Sequence, residues 1–215
     1  MERWVALDVG ETLIDETRIW SIWADVLGIP RLTFMAGLGA TLATGGDFRD
    51  VFSRFGADDW RGRLAEVEAT YGGFQESDLY PDARRSVEAL CQDGYRVALL
   101  ANQPARRTPE LRALGFAPDV MAMSDEIGVA KPDPAFFARA LDLMGEPQPG
   151  QVAYVGDRLD NDVMPAARAG MRAVWLRRGP WGLIGDPSNA DAPAAARLVV
   201  DSLDELVRRI GEVWD

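Results

Sequence analysis

Short apolar runs recur along the chain and alternate with stretches whose apolar residues return every three or four positions. The runs at 4–8, 95–101, 120–124, 151–156, 171–176 and Leu198–Val200 predict strands. The stretches at 82–92, 108–114, Pro134–Leu143, 161–169 and 202–213 predict helices. Start and stop signals agree with this division. Pro134 follows Asp133, Ser202 has Glu205 three residues on as a capping box, and Gly94, Gly115 and Gly170 fall just past helix ends. Strands alternating with helices in this way predict an α/β fold, a doubly wound parallel sheet.

One segment breaks the alternation. Residues 15–79 carry apolar residues at helical spacing (Ile19, Trp20, Trp23, Val26 and Leu27, then Leu64, Val67 and Tyr71) and little that reads as strand. Gly45, Gly46 and Gly56 divide it into about four helices. The expected organisation is an α/β core from residues 1–14 and 80–215 with an all-helical cap, 15–79, inserted above the carboxyl edge of the sheet. The tryptophans are expected to form the core of that cap and its arginines the wet face. The stretch 179–196, rich in Pro, Gly, Asp and Ala, predicts a long surface loop.

Composition narrows the chemistry. A net charge of −11 argues against nucleic acid and anionic membrane as partners. No run has the length of a membrane span, and the first strand begins almost at Met1, which predicts a cytoplasmic protein without a leader. The single cysteine, Cys91, cannot form an internal disulfide and is expected as a core thiol. The chain has no histidine, so Ser-His-Asp and Cys-His sites and His-ligated zinc are excluded. Lys131 is the only lysine; every other basic side chain is arginine. Lysine offers a compact point charge that a planar guanidinium does not.

The predicted strand ends gather the candidates. The first ends on Asp8, followed by Gly10, Glu11 and Thr12; the second on Ala101, followed by Asn102 and Gln103. Lys131 follows the third strand, and Asp157 follows the fourth with Asp160 and Asp162 behind it. Such an edge is where α/β sheets place their ligand crevice. Carboxylates with one lysine there suit a hard, oxygen-liganded cation such as Mg²⁺ holding a phosphate.

The segments DVGETL, LLANQ, AKPDPAFF and YVGDRLDNDV resemble, in order and spacing, the four motifs of the haloacid dehalogenase superfamily. The helical insertion falls where that family carries its cap. The resemblance implies a Mg²⁺-dependent phosphohydrolase acting on a small phosphorylated metabolite, as a monomer or homodimer. It implies Asp8 as the nucleophile that becomes an aspartyl-phosphate, and Lys131 as the cation that neutralises nucleophile and phosphate. The metal would be held by Asp8, Asp157 and the backbone carbonyl of Gly10, with Asp162 orienting Lys131 or metal-bound water. Thr12, Asn102 and Gln103 are the candidate substrate-binding residues. Asp160 reads as an exposed helix-start carboxylate.

Two positions depart from the family pattern. Ala101 stands where the family has Ser or Thr, and removing one such donor to developing charge costs about 3–4 kcal/mol elsewhere. Gly10 stands where phosphatases of the family place a second Asp, whose acid–base work is worth roughly 10²–10⁴-fold. Glu11 is adjacent, but a neighbouring side chain should point elsewhere. Two alternatives follow. One is a degenerate member that binds a phosphorylated ligand or partner without turnover. The other is carbon–halogen or carbon–phosphorus cleavage, whose branches also lack the second Asp. Asp157 argues against the metal-free dehalogenase branch, and the absence of lysine from 15–79 against the phosphonate branch with its cap lysine.

Overall fold

The computed structural model describes residues 2–184 and 192–215. Six parallel strands form one sheet: β1 (Trp4–Leu7), β2 (Arg96–Ala101), β3 (Val120–Met123), β4 (Val152–Gly156), β5 (Arg172–Leu176) and β6 (Leu198–Val200). Their spatial order is β3-β2-β1-β4-β5-β6. The chain therefore runs outward from β1 on one side and resumes beside β1 on the other. The β1/β4 boundary is the switch point at which doubly wound sheets open a crevice.

The strands are apolar on both sides because helices cover both faces. Along β1, Val5 and Leu7 enter one core cluster and Trp4 and Ala6 the other. The first cluster is closed by α5 (Ala83–Gln92) and the C-terminal α11 (Leu203–Arg209); the second by α8 (Pro134–Leu143) and α9 (Met164–Arg168). Burying each large aliphatic or aromatic side chain contributes about 1.5–3 kcal/mol, so the register that pairs Leu7 with Leu99 and Val155 is strongly favoured. Shorter helices, α6 (Arg107–Ala113) and α7 (Ser124–Ile127), flank β3.

Between β1 and α5 the chain forms four helices: α1 (Thr17–Val26), α2 (Arg31–Leu42), α3 (Asp50–Arg54) and α4 (Leu64–Tyr71). They enclose a separate aromatic core in which Trp23, Phe34, Phe52 and Tyr71 are buried. Phe52 stacks on Trp60 at 4.6 Å, and Trp23 meets Phe52 edge-on at 4.7 Å, the offset and T-shaped geometries that ring quadrupoles favour. This helical cap is tied to the layer beneath by Arg107 of α6, which reaches Glu68 of α4 at 3.0 Å, while Arg18 closes the cap on itself, forking onto Asp78 at 2.7 and 2.5 Å and donating to the carbonyls of Tyr71 and Gly73.

Three expectations are corrected. Residues Gly179–Ile184 form a helix, α10, rather than the start of a loop; of the remainder of that stretch, residues 185–191 lie outside the described residues. The helix expected at 161–169 begins instead as a widened turn, Leu159–Val163, before α9. Cys91 is exposed: α5 buries Ala83, Ser86, Val87 and Leu90, and the next position already faces outward. The Ser202 cap is present, with its hydroxyl accepting from the Glu205 N–H at 3.1 Å. Among the described residues, no helix is long and apolar enough to cross a membrane.

Candidate active site

Asp8 directly follows β1 and its own N–H still donates to the Val155 carbonyl at 2.9 Å, so the nucleophile candidate is anchored to the sheet. Its Oδ1 lies 2.9 Å from the Lys131 ammonium, which also contacts Asp162 Oδ1 at 2.5 Å. The Lys131 side chain is fully buried. Burial opposes its charge, but the carboxylates of Asp162 and Asp8 prevail and hold the ammonium well above the ordinary lysine range. Asn102, just past β2, fixes the loop that carries it. The Asn102 amide donates to the Lys131 carbonyl and accepts from the Lys131 N–H, both at 2.8 Å.

Asp157 follows β4 directly, one strand over from Asp8. Carboxylate oxygens of Asp8, Asp157 and Asp162 all lie within 4.8 Å of one another. One ammonium against three carboxylates leaves a negative surplus that a divalent cation would balance. Asp157 Oδ2 is buried with no hydrogen-bond partner. Burial, together with Asp162 and Asp8, pushes the Asp157 carboxyl well above its usual range. A buried orphan oxygen among hard oxygen donors fits Mg²⁺. Asp162 is similarly raised by burial, to about 6, with Lys131 pulling the other way. Asp160 is exposed and pairs with Arg158 at 2.7 Å, away from this cluster.

The turn after Asp8 folds back on itself, with the N–H groups of Leu13 and Ile14 both reaching the Val9 carbonyl. Glu11 adopts a positive φ of 50° there, a backbone state rare outside glycine, asparagine and aspartate. Its carboxylate, at the edge of the cavity that Asp8 lines, is already engaged: it accepts from the Tyr80 hydroxyl at 2.5 Å and from the Glu16 N–H at 3.0 Å. The same fold-back buries Thr12 out of the cavity wall and leaves its hydroxyl without a partner, while its carbonyl accepts from Arg178. Thr12, expected among the substrate-binding residues, therefore sits behind the site.

A cavity of about 580 Å³ opens over this edge. Asp8, Gly10, Asn102, Gln103, Lys131 and Asp157 line its floor. The roof comes from the cap and α10, where Trp20, Phe48 and Trp181 pack with centroids 6.0–6.2 Å apart. The cap tryptophans thus serve its core, as expected, and Trp20 and Trp23 also face the cavity. One lining residue carried no signal in the sequence: Glu16, just before α1. Burial, followed by the Glu11 and Asp8 carboxylates, pushes its carboxyl up to about 8. An acid within ETLIDETR is unremarkable as text, because only the fold-back at Gly10–Ile14 turns it inward. Gln103, expected at the substrate, donates toward Glu16 Oε1 at 3.4 Å.

Comparison with known proteins points the same way. The family model described as haloacid dehalogenase-like hydrolase matches residues 3–170. A phosphoserine phosphatase of Thermus thermophilus is 34% identical over 170 residues, covering 73% of this chain and 68% of that protein. A phosphoglycolate phosphatase of Vibrio vulnificus is 29% identical over 224 residues, covering 94% and 93%. A solved HAD phosphatase from Thermococcus onnurineus shares the fold with a TM-score of 0.61 at 24% identity, covering 99% of each chain. With Asp8, Lys131, Asp157 and Asp162 gathered at the β1/β4 switch point and this match spanning most of its length, the chain belongs to the haloacid dehalogenase-like hydrolases and is a hydrolase of their phosphatase-like kind.

Proposed function

We propose that the protein is a Mg²⁺-dependent phosphohydrolase that acts on a small phosphorylated metabolite through an aspartyl-phosphate at Asp8. In this reading residues 15–79 are the cap and 1–14 with 80–215 the catalytic core. The observation that carries it is the Lys131 ammonium held between Asp8 Oδ1 and Asp162 Oδ1 in a buried cluster with Asp157. Phosphoserine and phosphoglycolate are the substrates named for the relatives, and small phosphate monoesters of that size are the class proposed here.

The metal would be held by the Asp8 and Asp157 carboxylates and the Gly10 carbonyl; when bound, it supplies the positive charge that lets an anionic carboxylate meet an anionic phosphoryl group. The chain's own groups do the rest. Asp8 presents one carboxylate oxygen to phosphorus while the Lys131 ammonium holds the other, fixing the angle of attack. Lys131 also stabilises the charge that builds on the phosphoryl oxygens, and Asp162 keeps its ammonium from collapsing wholly onto Asp8. Asn102 sets the depth of Lys131 through its two backbone bonds. The cap closes the cavity above and limits water to the site.

The test is hydrolysis of an aryl and an acyl phosphate by Mg²⁺-loaded protein against an Asp8→Asn control. Turnover by the wild type with none by the control supports the reading; no difference between the two removes it. The competing reading, ligand binding without turnover, draws on Ala101, which ends β2 with a methyl group where a hydroxyl would face the phosphoryl. It predicts saturable phosphate-ester binding and no stoichiometric burst of released alcohol.

A further inference from the structure

The space beside Gly10 is not vacant. A β-carbon built on Gly10 would lie 2.5 Å from Glu16 Oε1 and 3.1 Å from Glu16 Cδ. The Glu16 carboxyl thus stands where a side chain on residue 10 would stand, lining the same cavity as Asp8. It does not cap the helix that it precedes. Its position is built from both sides. The Glu16 N–H is held by Glu11 Oε1 at 3.0 Å, and Glu11 is in turn held by the Tyr80 hydroxyl; the Gln103 amide donates toward Glu16 Oε1 at 3.4 Å. The other acids around the cavity are committed: Glu11 to Tyr80, Asp160 to Arg158, Asp47 to Arg49, and Asp157 to the acidic cluster.

We propose that Glu16 is the acid–base residue of the reaction, reaching from the start of α1 into the room that glycine leaves at position 10. The proposal rests on phosphoryl transfer to Asp8. In the first half-reaction an Asp8 oxygen bonds to phosphorus and the bond from phosphorus to the leaving oxygen breaks. The electron pair goes to that oxygen, which takes the proton from the Glu16 carboxyl. In the second, a water oxygen bonds to phosphorus, the bond from phosphorus to Asp8 breaks with its pair returning to the carboxylate, and the water proton passes to Glu16. The sum is ester plus water giving alcohol plus phosphate, with Glu16 restored. Gln103 is the positioning residue that aims Oε1.

The test compares phenyl phosphate with p-nitrophenyl phosphate, whose leaving group needs little protonation, in full-length Mg²⁺-loaded wild type, Glu16→Gln, Glu16→Ala and the double variant Gly10→Asp/Glu16→Ala. In Glu16→Gln, the pre-steady-state release of p-nitrophenol should stay within about 10-fold of wild type, while phenol release slows roughly 100-fold or more, in the range that acid–base catalysis supplies. Phosphate should remain on Asp8 in the denatured variant, because the second half-reaction has lost its base. The double variant, which supplies an acid from residue 10, should regain at least about 10-fold in turnover over Glu16→Ala. Equal slowing of both leaving groups, or unchanged turnover in Glu16→Gln, overturns the proposal. A wild type that is active while Asp8→Asn is equally active removes the Asp8 chemistry instead, and the Glu16 step with it.

Discussion

Gly156 and Asp162 are in closer contact than any side chain on residue 156 would permit: a β-carbon there would sit 2.4 Å from Asp162 Cγ. The last residue of β4 must therefore be glycine for the carboxylate to reach Lys131. Gly156→Ala should displace Asp162 and loosen the ammonium it holds. Overpacking of this kind costs about 1–3 kcal/mol, which urea denaturation would register, and turnover should fall with it. A Gly156→Ala protein of wild-type stability and activity would show that the contact is easily relieved.

Lys131 carries the largest single risk in the site. Replacing it with methionine leaves Asp8 and Asp162 buried without their cation, and breaking a buried pair in this way costs about 3–5 kcal/mol. Activity should be lost as well. Lys131→Arg should restore the charge but not the function, because a planar guanidinium is a poor fit for a fully enclosed point-charge site. Paired stability and turnover measurements on the two variants would separate charge from shape.

Divalent cation should stabilise the fold. If Mg²⁺ binds the native acidic cluster and not the unfolded chain, unfolding in metal at one hundred times its Kd should be harder by about 2.7 kcal/mol than in chelator. Asp157→Asn should abolish most of that difference. Denaturation curves with and without Mg²⁺ for both proteins provide the check, independently of any substrate.

Arg18 should matter to the closure of the helical insertion, whose first helix it ties to the segment that ends it. Its guanidinium makes four hydrogen bonds, to both Asp78 oxygens and to the Tyr71 and Gly73 carbonyls, while the Asp78 side chain is only 2% exposed. Arg18→Ala strands a buried carboxylate and should cost about 3 kcal/mol. Trp20 and Trp23 report on the cap, so their fluorescence should show it loosening before the sheet unfolds. A single unshifted transition would argue that the ion pair is dispensable.

Much of the fold was legible because its strands are buried on both faces and so read as unbroken apolar runs bounded by turn residues. Leu198–Val200 and Pro134–Leu143 appear with the bounds expected, the latter with Asp133 accepting from the Ala135 N–H as its cap. What failed was local. Cys91 lies one residue beyond the apolar stripe of α5, and stripe edges are ill-defined in text. Gly179–Ile184 reads as loop from its Gly and Pro, yet Pro180 sits at the start of a helix, where its ring is tolerated. Asp8 and Asp157 were legible because they directly follow strands, Lys131 because it is the only lysine, and Asp162 through the motif that carries it. Glu16 was not, since its place depends on a fold-back and on an absence at residue 10. The burial of Thr12 was illegible for the same reason, because that fold-back turns it inward.

Asp8 is rooted in the sheet, whereas Glu16 immediately precedes the first helix of the roof. Glu16 therefore stands at a joint between layers: its N–H is held by Glu11 and its carboxyl is approached by Gln103, both carried by the sheet layer, while its own chain runs on into α1. A change in how α1 leaves that joint would be felt at Glu16 before it is felt at Asp8.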